Sequence, residues 1–284
     1  MSRFSGLFAK TRSENRAALV GYLTAGDPDV EKSLEIIDAA CCAGLDILEL
    51  GIPFSDPTAD GPVIQRAAGR AVKAGMTLEK GIAMVKELRV KHSLPIILFT
   101  YYNPVLAFGA KRFVEDAVNA GADGVLIVDL PHESSDEIMQ YAEGLPFDFI
   151  RLISPTTSPQ RKKSILARAS GFVYVVSRRG VTGSGTSSGS NIDWTLLQKE
   201  ISGLKQETKV PLCVGFGITS AEDVRNASKI ADGVIIGSAF QKITEEKTNE
   251  GKPETAGDSV ASFVRLLTSS LVKISAPLVF GLIS

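Results

Sequence analysis

The feature that most constrains the fold is a junction that recurs along the chain. AGLDILEL at 43–50, AGADGVLIV at 120–128 and IADGVIIG at 230–237 each pass from a small-residue turn through an Asp into a short apolar run. Short apolar runs without alternation are the strands of a parallel sheet covered on both faces, and parallel neighbours need long crossover connections. Strands of this kind are expected at 17–26, 45–50, 95–101, 125–129, 147–153, 171–177, 210–214 and 231–236. Helical segments fall between them, at 27–42 (opened by Asp27-Pro28), 77–91 (capped by Thr77), 111–119, 133–143, 159–169, 192–207 and 220–229. Eight strands, each followed by a helix, define an α/β chain with one (β/α)8 barrel spanning 1–284 as a single domain. Extra helices are expected at the amino end, at 62–74 after the second strand, and after the eighth strand. There Gly237-Ser238 begins a helix, a polar excursion follows at 244–256, and 257–274 is the last helix. An open doubly wound sheet is the alternative, and the lack of GxGxxG after the first strand weighs against it.

The length of 284 residues suits one such barrel, typically ~250 residues. Hydrophobic residues make up 44% and charged residues 22% of the chain, which excludes disordered and fibrous classes. The net charge of −1 offers no basic excess for a nucleic-acid backbone or an anionic membrane surface. No apolar run approaches the ~20 residues of a membrane span. Cys41, Cys42 and Cys213 form no disulfide framework and no metal-ligand spacing, and read as reduced core residues of a cytosolic protein. His92 and His132 read as solvated or structural, and no metal site is expected. The amphipathic amino end reads as a short helix lying across the barrel's end, although its basic, Ser-containing character would also suit an organellar transit signal. The apolar tail at 276–283 is expected to pack on the barrel or an interface.

In such a barrel the active site lies at the carboxyl ends of the strands. Glu49 ends the second strand, and Asp60 follows in a loop dense in Gly and Pro. A strand-end carboxylate is costly unless paired, neutralised or used, and perturbed carboxylates concentrate at functional sites; Asp60-Gly61 alone is also ordinary turn chemistry. After strands seven and eight, Gly215-Phe216-Gly217 and Gly237-Ser238 would let bare N–H groups and a helix N-terminus converge on an anion. No Lys or Arg stands there, which suits a small phosphate monoester. The aromatics Tyr22, Phe54, Tyr101, Tyr174 and Phe216 could form a slot for a flat ring, which would also raise the pKa of Glu49 toward neutrality.

ELGIPFSDPTADGP at 49–62, GYLTAGDP at 21–28, YYNPV at 101–105, SRRGVTG at 177–183, VGFGI at 214–218 and GVIIGSA at 233–239 resemble the tryptophan synthase α family, collinearly from about residue 8 to about residue 267. The resemblance implies retro-aldol cleavage of indole-3-glycerol phosphate to indole and glyceraldehyde 3-phosphate, with no cofactor in this chain. It implies a pyridoxal-phosphate-dependent β subunit in an α2β2 complex, which receives the indole for tryptophan synthesis. By motif, Glu49 matches the acid–base at indole C3, Asp60 the carboxylate on the indole N–H, and Tyr174 the tyrosine beside the acid. Gly183, Gly217, Gly237 and Ser238 match the phosphate cradle; Tyr22, Phe99, Tyr101, Val128, Thr182 and Phe216 match the substrate pocket. Arg179 departs from the small residue expected in the loop 178–191, whose Gly/Ser/Thr composition reads as mobile. Two other readings are a free-standing lyase releasing indole without a partner, and a barrel kept only as an allosteric subunit. The segments 56–58 and 103–104, which match the partner-facing surface, favour the complex, and the intact Glu49 and Asp60 argue against a binding-only role.

Overall fold

The computed structural model describes residues 2–177 and 192–271; the expected mobile loop at 178–191 and the apolar tail beyond 271 lie outside the described residues. Nine parallel strands are present: β1 Ala18–Thr24, β2 Ile47–Gly51, β3 Ile96–Thr100, β4 Gly124–Ile127, β5 Asp148–Phe149, β6 Arg151–Ile153, β7 Val173–Val176, β8 Leu212–Gly215 and β9 Gly233–Ile236. Their order is β5-β4-β3-β2-β1-β9-β8-β7-β6. Strands β5 and β6 are one stretch of chain that changes partner at Ile150. Asp148 pairs with Gly124 of β4, and Arg151 pairs with Val173 of β7. Chain continuity between them completes the circuit, so the nine segments fill eight positions of a TIM barrel. The single fifth strand expected at 147–153 is corrected accordingly.

The recurring junction has a physical cause. Asp46, Asp123 and Asp232 each stand just before a strand and accept the first N–H groups of the neighbouring strand. Leu19 N donates to Asp46 at 2.8 Å, Ile96 N to Asp123 at 2.8 Å and Leu212 N to Asp232 at 2.9 Å. The carboxylates thereby take up backbone donors at the barrel's amino end that have no ladder partner.

The helices are α1 Arg3–Ser13, α2 Val30–Cys42, α3 Pro62–Lys73, α4 Leu78–Lys91, α5 Tyr102–Phe108, α6 Ala110–Ala120, α7 Asp136–Met139, α8 Pro159–Ala167, α9 Trp194–Glu207, α10 Ala221–Ser228, α11 Ser238–Asn249 and α12 Ala256–Ser270. Thr77 caps α4 by accepting from Lys80 N, and Ser220 with Asp223 forms a capping box on α10. Other boundaries differ from expectation. Asp29, not Asp27, caps α2; the Asp27-Pro28 bond is cis, and the buried Asp27 carboxylate instead receives Arg70 of α3 at 2.7 and 2.9 Å. The helix expected at 133–143 shrinks to a 3-10 turn, His132–Ser134, and the single turn of α7. The Ser135 hydroxyl donates to the His132 carbonyl at 2.8 Å and competes with regular helix there. The excursion expected from 244 is instead the second half of α11, because Thr244 is buried with its hydroxyl bonded to the Phe240 carbonyl. Helix α5, unexpected from sequence, starts where Asp129 accepts from Tyr102 N at 2.7 Å.

Alternate strand residues divide between two apolar clusters, as the two-residue period requires. Ile47, Ile97, Leu126, Ile150 and Cys213 fill the barrel's interior. Leu48, Leu50, Leu98, Val125 and Val214 face the helix layer. Phe4 and Phe8 of α1 cap the interior from below, each edge-to-face with Phe172 at 5.9 and 6.3 Å. Closing that end leaves the opposite, carboxyl-terminal mouth as the open one. Among the described residues no helix is long and apolar enough to cross a membrane.

Candidate active site

The mouth holds a cavity onto which Tyr22, Glu49, Asp60, Phe99, Tyr174, Phe216, Gly217, Gly237 and Ser238 all open. The strand period explains the grouping. Tyr22 and Glu49 are register partners on β1 and β2, so their side chains leave the sheet together. Glycines make room for the two tyrosines. A Cβ at Gly51 would lie 2.3 Å from the Tyr22 hydroxyl, and one at Gly215 would lie 2.3 Å from that of Tyr174. Tyr22 stands edge-on to Phe99 at 5.1 Å, and Tyr174 edge-on to Phe216 at 5.6 Å, which fixes the aromatic walls.

Glu49 is 1% exposed, and its Oε1 has no hydrogen-bond partner among the described residues. Burial alone pushes its carboxyl up to about 8, the direction expected for a strand-end acid in an apolar slot. Burial also pushes Asp60 up, to about 6, while a hydrogen bond from the Tyr101 hydroxyl holds it back. That bond is 2.9 Å long, and the same hydroxyl accepts from Ala59 N at 3.0 Å. Tyr101 thus belongs to the site through Asp60. The two carboxylates differ in protonation near neutrality, a neutral acid beside an anion, the pattern that separates acid from base in paired-carboxylate sites.

Across β8 and β9 the backbone takes over. Phe216 adopts a positive φ of 70°, rare for a side-chain-bearing residue, and its carbonyl accepts the Ser177 hydroxyl. The turn carries Gly217 (φ 83°) to the cavity. Gly237 precedes α11, and Ser238 opens it. Among the described residues no Lys or Arg lines the cavity, so an anion there would meet N–H groups and a helix N-terminus. Helix α3, which follows Asp60, is tied to α11 by Arg66 and Arg70, both on Glu245 at 2.7–2.8 Å.

Val128 falls elsewhere, in a neighbouring cavity with Arg151 and His132. His132 is structural there: its ring accepts from Arg151 at 2.8 Å and meets the Ser164 hydroxyl at 2.9 Å. Thr182 and Gly183 lie outside the described residues. Sequence reasoning missed three apolar lining residues, Ile64, Ile218 and Ile235. The signal for Ile235 was available, since it shares the two-residue period with Gly233 and Gly237. Ile64 carried none, because its direction depends on how α3 crosses the mouth.

The sequence profile of the tryptophan synthase alpha chain matches residues 8–268. The tryptophan synthase alpha chain of Desulfatibacillum aliphaticivorans is 52% identical over 246 residues, covering 87% of this chain and 91% of that one. That of Desulfosudis oleivorans is 49% identical over 257 residues, covering 90% and 94%. Among solved structures, tryptophan synthase subunit alpha from Legionella pneumophila superposes with a TM-score of 0.83 at 33% identity, over 95% of this chain and 99% of that one. A tryptophan synthase chain from M. tuberculosis gives 0.83 at 29% identity, over 96% and 100%.

Proposed function

The chain belongs to the tryptophan synthase alpha chain family, and from that premise we propose how its own residues carry the family's reaction. The reaction is a carbon–carbon lyase step of tryptophan biosynthesis, the cleavage of indole-3-glycerol phosphate to indole and glyceraldehyde 3-phosphate. The observation that carries the residue assignment is the convergence of two buried carboxylates of unlike protonation with the backbone turns at Gly217, Gly237 and Ser238 on one cavity.

Glu49, with its carboxyl near 8, holds a proton at neutral pH and gives it to the indole C3 carbon. Positive charge then develops on the ring, where the ionised Asp60 accepts the indole N–H and stabilises it. Glu49, now a carboxylate, takes the hydroxyl proton from the glycerol carbon attached to C3. The O–H electrons form the aldehyde C=O, the C–C bond breaks, and its electron pair returns to the ring. Glu49 ends as it began, so the protons balance. Because the protonated ring is the electron sink, the step needs no cofactor in this chain.

Tyr174 packs beside the acid; Tyr22, Phe99 and Phe216 flank the indole. The amides at Gly217, Gly237 and Ser238 hold the phosphate; by the family motif in the sequence, Gly183 would join them and Thr182 would order Asp60. An alpha chain implies a beta-subunit partner. In this reading the complex is α2β2 in the cytoplasm, and pyridoxal phosphate on β joins the indole to serine. The exposed Ser55, Asp56 and Thr58 run into Ala59 and Asp60, and the exposed Asn103 follows two residues after Tyr101, whose hydroxyl bonds both Ala59 and Asp60. A partner seated there would press on the catalytic aspartate through one hydrogen-bonded side chain.

The test is indole release from indole-3-glycerol phosphate by the purified chain, alone and with a β subunit. Slow release that rises strongly with the partner is expected. Rapid release by the chain alone would replace this reading with the free-standing lyase, and no release in either condition would leave only a structural role.

A further inference from the structure

Helices α2 and α4 bring together, on the outside of the barrel, three side chains that the mechanism does not use. Asp38 and Cys42 stand four residues apart on α2, the spacing that puts two side chains on one helix face. His92 follows the last turn of α4 in an extended conformation (φ −122°, ψ 133°) that returns its ring toward α2. One carboxylate oxygen of Asp38, the Cys42 Sγ and a ring nitrogen of His92 all lie within 4.8 Å of one another. The His92 Nε2 is 2.7 Å from Asp38 Oδ1. No metal-ligand spacing is legible along the sequence because the third donor comes from a different helix, 50 residues after Cys42. The fold supplies what the spacing lacked.

We propose that Asp38, Cys42 and His92 form a surface site for a divalent transition metal of the zinc class. Thiolate, imidazole and carboxylate together are a borderline-soft donor set, which favours zinc over magnesium or calcium. Three protein ligands leave a fourth, solvent-facing position, and Cys42 is exposed there. The carboxylate has an oxygen for each neighbour: Oδ1 faces His92, while Oδ2 already accepts from Lys91 at 3.2 Å and keeps that bond when Oδ1 binds the ion. Arg89, the other nearby cation, is occupied by the carbonyls of His92, Leu94 and Gly121 and by Asp123. Binding exchanges the thiol proton of Cys42 for the ion, with no oxidation or reduction. Two positive charges then meet the carboxylate and the thiolate, so the ion and its three ligands together carry no net charge. Bound metal would pin the end of α2 to the end of α4, beside the Lys91–Asp38 ion pair.

The chain is well suited to the test because it has only two histidines and three cysteines. Cys41 and Cys213 are buried, and His132 is engaged by Arg151 and Ser164. Tag-free full-length chain is titrated with ZnCl2 in competition with a chromophoric chelator, and its thermal midpoint is followed with and without the ion. One equivalent is expected to bind with release of one proton and a rise in Tm. Cys42→Ser, a change of one exposed atom, should weaken binding by roughly tenfold or more and abolish the Tm rise; His92→Gln should act in the same direction. Unchanged affinity in Cys42→Ser, or no stoichiometric binding by the parent chain, would overturn the proposal. Indole release plays no part in either readout, so failure here leaves the lyase assignment untouched.

Discussion

At the scale of single residues, Glu49, the proposed acid, shows what burying a carboxyl costs the fold. Its carboxyl titrates near 8 when folded and near the ordinary 4.5 when the chain is unfolded. Between those values the folded state holds a proton that the unfolded state has lost. Stability therefore falls as pH rises through that window and levels off above the folded value, by roughly 1.4 kcal/mol per pH unit at most. Below the ordinary value both states are protonated and the penalty disappears. Glu49→Gln keeps the shape and removes the titration. The variant is expected to lose indole release while unfolding at higher urea than the parent at pH 8, with the two converging near pH 4. Parallel urea midpoints at both pH values would mean that Glu49 is not held protonated, and retained turnover would remove it as the acid–base. Asp60 carries a smaller penalty of the same sign, complete above about pH 6, because burial raises its carboxyl to about 6 while the hydrogen bond from Tyr101 offsets part of that rise.

Elements show how far a sequence can be read. Thr77 was legible as a cap because the hydrogen bond it accepts comes from only three residues away, at Lys80. Glu49, Gly237 and Ser238 were legible because strand ends in a barrel converge whatever the intervening sequence. Asp27 was not: its Asp-Pro signature suits a helix start, and only Arg70, brought in by α3, turns it into an ion-pair partner. The break at Ile150 was equally hidden, since it records which neighbours the strand finds rather than anything in its own residues. Helix α11 can be probed as an element. An Asp in its first turn favours the helix by about 0.3–1 kcal/mol, so Ser238→Asp should fold at least as well as the parent. The same charge repels a phosphate held by that turn. KM for indole-3-glycerol phosphate should rise by about tenfold or more, while cleavage of the analogue lacking phosphate is unchanged. Equal loss on both substrates would mean that the α11 terminus shapes the pocket without holding the phosphate.

For the molecule as a whole, the two ends of the barrel divide the work. The amino end is where order is held: Asp46, Asp123 and Asp232 tie strands to their neighbours, Arg3 reaches Asp123 at 2.6 Å, and Phe4 and Phe8 seal the interior against Phe172. The carboxyl end carries Glu49, whose Oε1 has no partner among the described residues, the positive φ of Phe216 and the glycines that make room for Tyr22 and Tyr174. The buried carboxylates of the amino end are paired, Asp46 with Arg16 and Asp123 with Arg3 and Arg89, so that end holds the fold without carrying the proposed chemistry. A cavity cut into the sealed end should then lower stability without touching the chemistry. Phe8 is 3% exposed and stands edge-on to Phe172. Phe8→Ala removes that contact and leaves a void that the strand ends, locked by their aspartates, cannot collapse to fill. The expected loss is about 3 kcal/mol in urea unfolding, with kcat per folded molecule equal to that of the parent. A loss below about 1 kcal/mol would mean that α1 only drapes the barrel. A fall in kcat at full folding would mean that the interior column of side chains, from Phe172 up to Tyr174, transmits the position of the plug to the acid.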